Sequence, residues 1–378
     1  MNSAEDNVDI RLCPPTMEAW HSRGQPDREA AVLMSGGVDS SVTALLLKRD
    51  GWDLVGITMK IPAAEQCDRR RSCCGVEAAY VCQALGIPHY YVDVREAFRD
   101  IVIEPFRTAY AEGRTPSPCV DCNTLFKFGL VWDFIEANFG IVQMATGHYA
   151  CVLHTGSGAR LARASYTARD QSYFLYGIPR RRLDSLLLPL GSVTKSDVRS
   201  IAREARLPVA RREDSMELCF AGQGDYRAAL GGRSAKGPIY DQQGRVVGEH
   251  DGIACYTVGQ RRGLKVAAGK PMYVTAIDAA NNSITIGDYQ DACRSLVRAE
   301  EVNVLIPEEL AEGARLFGKI RSQQDASACT AVSVQGNEVT VEFDARQFAP
   351  TPEQRLVLYN GYGQVVAGGV IARRCRSI

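Results

Sequence analysis

Between residue 31 and about residue 144, short apolar runs alternate with stretches whose apolar residues recur at helical spacing. The runs at 31–34, 54–59, 90–94 and 141–145 predict strands. Helices are expected over 39–47, about 73–85 with Gly86 as stop, 96–110, and 123–139 with Gly140 as stop. In the first of these, Val42, Leu45 and Leu46 fall on one face. Such alternation predicts an α/β fold built on a doubly wound parallel sheet, with ligands at the carboxyl ends of its strands. The turn after Met34, the strand end at Met59 and the turn Thr146-Gly147-His148 all fall at those ends.

A further helix is expected over 194–206, with Pro208 beyond it. After about Ala221 the pattern changes. Glycines become frequent, at 222, 224, 231, 232, 237, 244 and 248. Strands at 272–277 and 283–286 read as a hairpin through Asn281-Asn282. From Val302 onward, 330–334 and 338–343 alternate around Gln335-Gly336-Asn337, and 356–359 and 365–371 follow, which predicts a small β-barrel. The expected organisation is a loose, flexible extension over 1–28, a parallel-sheet α/β domain over 29–220, a central domain over 221–295 and a β-barrel over 296–378.

An apolar fraction of 46% supports a substantial core. No apolar run approaches the ~20 residues needed to cross a bilayer. The first residues are polar, include Pro14-Pro15 and lack the apolar stretch of a signal peptide. Thirteen cysteines, an odd number, then point to reduced thiols in a cytoplasmic protein. Net charge is zero, which gives no global polyanion signal. Arginines nevertheless cluster at 69–71, 180–182, 211–212, 261–262 and 373–374. Gathered on one face they could hold RNA phosphates; taken singly each reads as solvated surface.

The chemistry begins at Ala31 to Ser41, AVLMSGGVDSS. Gly36 and Gly37 permit a sharp turn and close backbone approach to a ligand. A helix N-terminus with hydroxyls at Ser35, Ser40 and Ser41 makes an anion cradle whose expected guest is a phosphate chain. Neither GxxxxGK[ST] nor GxGxxG occurs here. Further along, Cys119 and Cys122 form a C-x-x-C loop before a helix, whose N-terminus lowers a thiol pKa. Cys219 is a third candidate thiol. A zinc ribbon would want a second such pair, and none exists. Cys67, Cys73, Cys74 and Cys82 read as structural. His21, His89, His154 and His250 have no ligand-like spacing.

The turn resembles the SGGxDS loop of the PP-loop ATP pyrophosphatases, which cleave ATP between the α and β phosphates. Within that superfamily the chain resembles the tRNA-uridine 2-sulfurtransferases (tRNA 2-thiouridylases). The likeness runs from about Ala31 to the C-terminus and includes Gly113-Arg114-Thr115-Pro116, Ala145-Thr146-Gly147-His148-Tyr149, Arg169 to Leu175, Leu218-Cys219-Phe220, Tyr256 to Arg261 and Thr351-Pro352-Glu353-Gln354.

The resemblance implies that ATP sits on Leu33, Met34, Ser35, Gly36, Gly37, Val38, Asp39 and Ser40, with Met59 and Gly147 near the nucleotide. Asp39 is expected to help hold Mg²⁺, a hard ion that prefers oxygen ligands. The O2 atom of the wobble uridine, position 34 of tRNA, would attack the α-phosphate. Sulfur would arrive as a persulfide on Cys219, with Cys122 as the second thiol and the nucleophile. The implied tRNA-contacting residues are Ser117, Pro118, Cys119, Arg169, Asp170, Gln171, Arg321 and Ser322, and the implied site-shaping residues His148 and Gln354. The implied partners are tRNA and a sulfur donor, either a cysteine desulfurase or a relay protein.

Cys119 departs from the pattern, because many members carry aspartate there. Ser117, Arg169 and Ser322 depart from the commoner asparagine, lysine and aromatic residue. Three thiols at Cys119, Cys122 and Cys219 leave two arrangements open: a [4Fe-4S] cluster held by three thiolates, or a persulfide route without iron. Two other functions compete, another PP-loop adenylating synthetase and a non-catalytic tRNA-binding or iron–sulfur protein.

Overall fold

The computed structural model describes residues 9–62, 75–212, 219–220 and 235–373. Arg69 to Arg71, Cys67, Cys73, Cys74, Leu218, Gly222, Gly224, Gly231, Gly232 and Arg374 lie outside the described residues. Two compact units result: residues up to 103 with 121–225, and 104–120 with the chain from 226 onward.

Among the described residues the main sheet of the first unit has six strands: β1 (Arg11–Leu12), β2 (Glu29–Leu33), β3 (Asp53–Lys60), β4 (His89–Asp93), β5 (Gln143–Ala145) and, beyond a separate hairpin of β6 (Ala150–Thr155) and β7 (Gly158–Arg163), β8 (Leu186–Leu187). Their order is β1-β4-β3-β2-β5-β8, with every pair parallel except β1 on β4. Parallel strands covered on both faces are apolar throughout, and β2 is buried at all five positions. The chain winds outward from β2 to β4 and then returns to β5 on the other side of β2. That reversal makes a topological switch point between β2 and β5, where open α/β sheets bind ligands.

Helix α1 (Val38–Arg49) follows β2 and α2 (Val76–Leu85) follows β3. Val32, Val42, Leu45, Leu54, Val81 and Val198 share one core cluster. Helix α1 is less one-sided than its apolar spacing predicts. Ser41 and Thr43 are buried along with Val42, Leu45 and Leu47, and their hydroxyls turn inward to bond the Gly37 and Asp39 carbonyls.

Three expectations change. The extension does not run loose over its described part. Arg11 and Leu12 pair with Asp93 and Val92, Thr16 N–H donates to His89 O at 2.9 Å, and Trp20 N–H donates to the Tyr90 hydroxyl at 2.7 Å. The helix expected over 96–110 is divided into α3 (Arg95–Phe98), a π-helical stretch Arg99–Ile103 and α4 (Glu104–Ala111). The helix expected over 123–139 begins earlier and is also divided, into α5 (Pro118–Asp121), a π-helical stretch Cys122–Val131 and α6 (Trp132–Phe139). Gly140 ends α6 at φ +68°, as its placement predicts. Helix α7 (Lys195–Glu204) is capped by the Thr194 hydroxyl, which accepts from Asp197 N–H.

In the second unit, β9 (Gly237–Tyr240), β10 (Val246–His250), β11 (Tyr273–Asp278) and β12 (Ser283–Gly287) form a sheet of order β10-β9-β12-β11. Asn282, at φ +43°, turns the expected β11–β12 hairpin. After the short α8 (Tyr289–Ala292), β13 (Cys293–Val304), β14 (Arg315–Lys319), β15 (Ser327–Gln335), β16 (Glu338–Phe348), β17 (Arg355–Tyr359) and β18 (Val365–Ile371) close a six-stranded barrel. Helix α4 and the segment after it belong with this unit. Gly113 packs where a Cβ would lie 2.4 Å from Ile277 Cγ2, and Arg114 pairs with Glu353 at 2.9 Å.

Candidate functional site

The turn after β2 is built by its own short side chains. Ser35 N–H donates to Ser40 Oγ, Gly37 N–H donates to Ser35 Oγ, and Ser40 Oγ–H donates to Gly37 O, each at 3.2 Å. Gly36 sits at φ +71°, a conformation that favours glycine, and a Cβ there would lie 3.3 Å from Ala78 N. Gly37 is the extended residue that opens α1. The amides at the start of α1 thus face the end of the sheet, where a helix N-terminus favours an anion.

Gly147, at the end of β5, closes against this turn. A Cβ on it would lie 2.8 Å from Ser40 N and 2.9 Å from Asp39 C. On the other side of β2, Met34 N–H donates to Ile57 O, and Thr58 Oγ1 donates to Met34 O, both at 2.8 Å. Met59, half-buried, is the next residue of β3. Leu33, Met34 and Val38 are buried.

Asp39 is held from elsewhere in the unit. Lys195 Nζ lies 2.7 Å from each carboxylate oxygen, and the Tyr149 hydroxyl donates to Oδ1 at 2.7 Å. Arg212 donates to Gly36 O at 2.8 Å and stands 3.6 Å from Glu77 Oε2. None of these three partners follows from the turn's own sequence. Asp39 offers the oxygen donor that Mg²⁺ takes, but the ammonium already occupies both oxygens. Residues that fit the ion are therefore present in a paired state.

From Gly147 the contacts continue to the helical segment that begins at Cys122. His148 Nδ1 is 2.8 Å from the Thr146 hydroxyl, and its ring lies 6.0 Å from that of Phe128 in the π-helical stretch. Burial pushes the His148 pKa down to about 3, with Lys127 adding to the shift. Lys127 donates to Asn123 Oδ1 at 3.0 Å, and Asn123 in turn donates to Phe174 O at 3.1 Å. Cys122 opens this stretch and is buried. Its thiol is not activated in the way a loop before a helix would allow. Burial pushes its pKa up, Lys127 pulls it down, and Asp121 adds to the rise. The C-x-x-C segment is itself helical, so Cys122 follows a turn of helix instead of preceding one.

Cys219 is exposed, and its neighbour Phe220 packs edge-on to Phe98 at 6.1 Å. Phe98 packs edge-on to Phe126 at 5.3 Å, one turn along the stretch that begins at Cys122. An aromatic chain thus ties the Cys219 segment to the Cys122 helix within the first unit. Among the described residues no three His, Cys, Asp or Glu side chains converge to hold a metal ion.

The residues expected to touch tRNA divide by burial. Arg169 is exposed, but the Asp170 side chain is 1% exposed and bonded to Ala164 N–H, Ser172 N–H, the Ser172 hydroxyl and Arg163. Gln171 accepts from Tyr149 N–H at 2.9 Å and so orients the tyrosine that holds Asp39. In the second unit, Ser117 and Pro118 are buried while Cys119 is exposed. Gln354 donates to Thr115 O at 2.9 Å and to Pro116 O at 3.3 Å, so it shapes the backbone that presents Ser117 to Cys119. Arg321 donates to Ala349 O at 2.9 Å and to the Thr351 hydroxyl at 3.2 Å, bracing Ala349 at φ +51°. Ser322 beside it is half-buried.

Among the described residues no helix is long and apolar enough to cross a membrane. Three family descriptions match in series: tRNA methyl transferase HUP domain over residues 28–223, tRNA methyl transferase PRC-barrel domain over 230–288, and aminomethyltransferase beta-barrel domain over 294–371. The chain is 42% identical over 351 residues to the tRNA-specific 2-thiouridylase MnmA 1 of Syntrophus aciditrophicus (strain SB), covering 91% of this chain and 92% of that one. It is 40% identical over 357 residues to the tRNA-specific 2-thiouridylase MnmA of Moorella thermoacetica, covering 90% and 98%. The MnmA of Pelotomaculum thermopropionicum is 40% identical over 345 residues, covering 88% and 94%.

Proposed function

The chain belongs to the tRNA-specific 2-thiouridylase family, and we propose from that premise that it replaces O2 of the wobble uridine of tRNA with sulfur in an ATP-dependent reaction. The observation that carries the reading is the continuity of the first unit. The phosphate-type turn at Ser35 to Ser40 abuts Gly147, and His148 beside it reaches the helix that bears Cys122.

The chemistry needs both ends of that continuity. A uridine carbonyl is a poor electrophile, and its oxygen leaves only after activation. In the proposed sequence O2 attacks the α-phosphate of ATP held on Leu33 to Ser40, with Met59 and Gly147 beside it. The bond from the α-phosphorus to the bridging oxygen breaks, and pyrophosphate leaves. Cys219 carries the incoming sulfur as a persulfide. The Cys122 thiolate attacks the Cys219 sulfur, forming a Cys122–Cys219 disulfide and releasing hydrosulfide. Hydrosulfide adds to C2, and AMP departs with the former O2. The sulfane sulfur gains the two electrons that the thiol pair loses, and a dithiol reductant restores the pair. A divalent cation bound at Asp39 would supply charge neutralisation on the phosphate chain.

Residues 29–220 are assigned the adenylation and thiol chemistry, and tRNA contacts are assigned on both sides of residue 220. Exposed Cys119 and Arg169 and half-buried Ser322 are among them. Flipping the target base out of its stack costs roughly a few kcal/mol. A desulfurase or relay protein supplies the persulfide, and the need for reduced thiols suits a cytoplasmic site of action.

The test supplies ATP, a tRNA transcript, cysteine and a cysteine desulfurase, and reads the modified nucleoside by mass together with AMP formed. The unmodified chain is expected to yield 2-thiouridine and AMP. Cys219→Ser is expected to abolish 2-thiouridine while keeping tRNA-dependent pyrophosphate release. Undiminished thiolation by Cys219→Ser would overturn the proposal.

A further inference from the structure

The phosphate-type turn carries no cation of its own. From Ser35 to Ser41 its one charged side chain is the acid Asp39. A polyphosphate arriving there meets amides and hydroxyls, but also a carboxylate of its own sign. Positive charge comes instead from residues far along the chain. Lys195, the first residue of α7 and 13% exposed at its side chain, reaches both Asp39 oxygens at 2.7 Å. The Tyr149 hydroxyl holds Oδ1 from another side. Arg212, on Gly36 O, stays engaged with the backbone of the turn.

We propose that Lys195 is a phosphate-binding residue that exchanges partners. In the nucleotide-free chain it neutralises Asp39. When ATP arrives it transfers to the phosphate oxygens, and Asp39, still oriented by Tyr149, is released for the divalent cation that accompanies the nucleotide. This inference rests on the proposed reading of the turn as an ATP site. Its physical basis is the balance of charge. A bare divalent ion at Asp39 must displace an ammonium from both oxygens and then sit beside it, which is repulsive at these distances. A phosphate chain removes that repulsion by taking the ammonium. The number of ion pairs rises, since Lys195–Asp39 gives way to Lys195–phosphate and Asp39–cation. A lysine suits the exchange because its ammonium is a point charge on a flexible four-carbon stem. Nucleotide and cation binding become coupled, each raising the affinity for the other by the same factor.

The test measures binding, not turnover. α,β-Methylene-ATP is titrated calorimetrically in EDTA, and Mn²⁺ binding is followed by electron paramagnetic resonance with and without that nucleotide. The unmodified chain is expected to bind the nucleotide without metal, to bind Mn²⁺ weakly alone, and to bind each more tightly with the other. Lys195→Met is expected to weaken metal-free nucleotide binding by about tenfold or more, to bind Mn²⁺ alone more tightly, and to lose most of the coupling. Asp39→Asn, which releases the ammonium, is expected to hold or gain metal-free nucleotide affinity while losing the Mn²⁺ coupling. A merely structural ion pair would instead weaken both ligands in both variants. Metal-free nucleotide affinity unchanged in Lys195→Met, or lowered in Asp39→Asn, would overturn the inference. Should Lys195→Met not fold, Asp39→Asn still decides. An unmodified chain that binds no nucleotide would remove the reading of the turn as an ATP site, and the inference with it.

Discussion

Gly147 is constrained by a neighbour, not by a turn. A Cβ there would meet Ser40 N at 2.8 Å and Asp39 C at 2.9 Å, backbone atoms that have no rotamer to change. Gly147→Ala must therefore displace the first turn of α1, whose amides are those proposed to face the phosphates. The variant is expected to keep its circular dichroism spectrum but to bind ATP about tenfold more weakly, the cost of one misplaced charge-assisted hydrogen bond. Unchanged affinity would mean that the turn yields without loss. Arg169 and Asp170 separate in a similar way. Asp170 satisfies four donors while almost fully buried, so Asp170→Ala should lower stability by about 1–3 kcal/mol in urea unfolding. Exposed Arg169→Ala should leave stability within about 0.5 kcal/mol and lower tRNA affinity with a reduced salt slope. Both residues belong to one motif, and only their partners distinguish them. The serines and glycines of the turn could be read in advance because they bond one another within a few positions. Lys195, Tyr149 and Arg212 could not, because they reach the turn from more than a hundred residues away.

At the scale of elements, the strands were legible and the helices around Cys122 were not. A buried parallel strand announces itself by a short apolar run, and β2, β3, β4 and β5 each lie within two residues of their expected bounds. A π-helical stretch shares its apolar residues with the α-helix it interrupts, so periodicity cannot find it. Its i→i+5 bonds re-aim side chains, and such stretches recur at functional sites; here one begins at Cys122 and carries Phe126, Lys127 and Phe128. The first strand escaped notice for another reason. Arg11–Leu12 is short and exposed, and only its pairing with β4 makes it a strand. The strap after it holds His89 through the Thr16 hydroxyl at 3.1 Å, while Thr58 holds the other ring nitrogen at 2.8 Å. Thr16→Val removes the first of these hydrogen bonds and leaves a buried ring nitrogen unsatisfied. A loss of about 1–3 kcal/mol is expected from chemical denaturation. A neutral result would mean that water replaces the hydroxyl and that the strap is not needed to seal this edge.

Buried ionisable groups set the pH range over which the whole molecule is stable. Burial lowers His89 to about 4 and His148 to about 3, while the unfolded chain protonates its histidines near 6.5. Below that value the unfolded state binds protons that the folded state refuses, so stability falls as pH drops from about 6.5 towards 4. On the basic side, burial raises the Cys82 and Cys329 thiols to about 12 from the ordinary 9.0. The unfolded chain then releases protons first, and stability falls again as pH climbs from about 9 towards 12. Urea midpoints measured across this range should form a plateau between the two limbs. His148→Asn should flatten the acid limb by about one proton, and Cys82→Ala should flatten the basic limb without touching the acid one. The same burial keeps His148 neutral throughout the plateau, so its ring is held as a hydrogen-bonding partner of Thr146 and not as a source of protons. An acid limb of unchanged slope in His148→Asn would show that the ring titrates as freely in the folded chain as in the unfolded one.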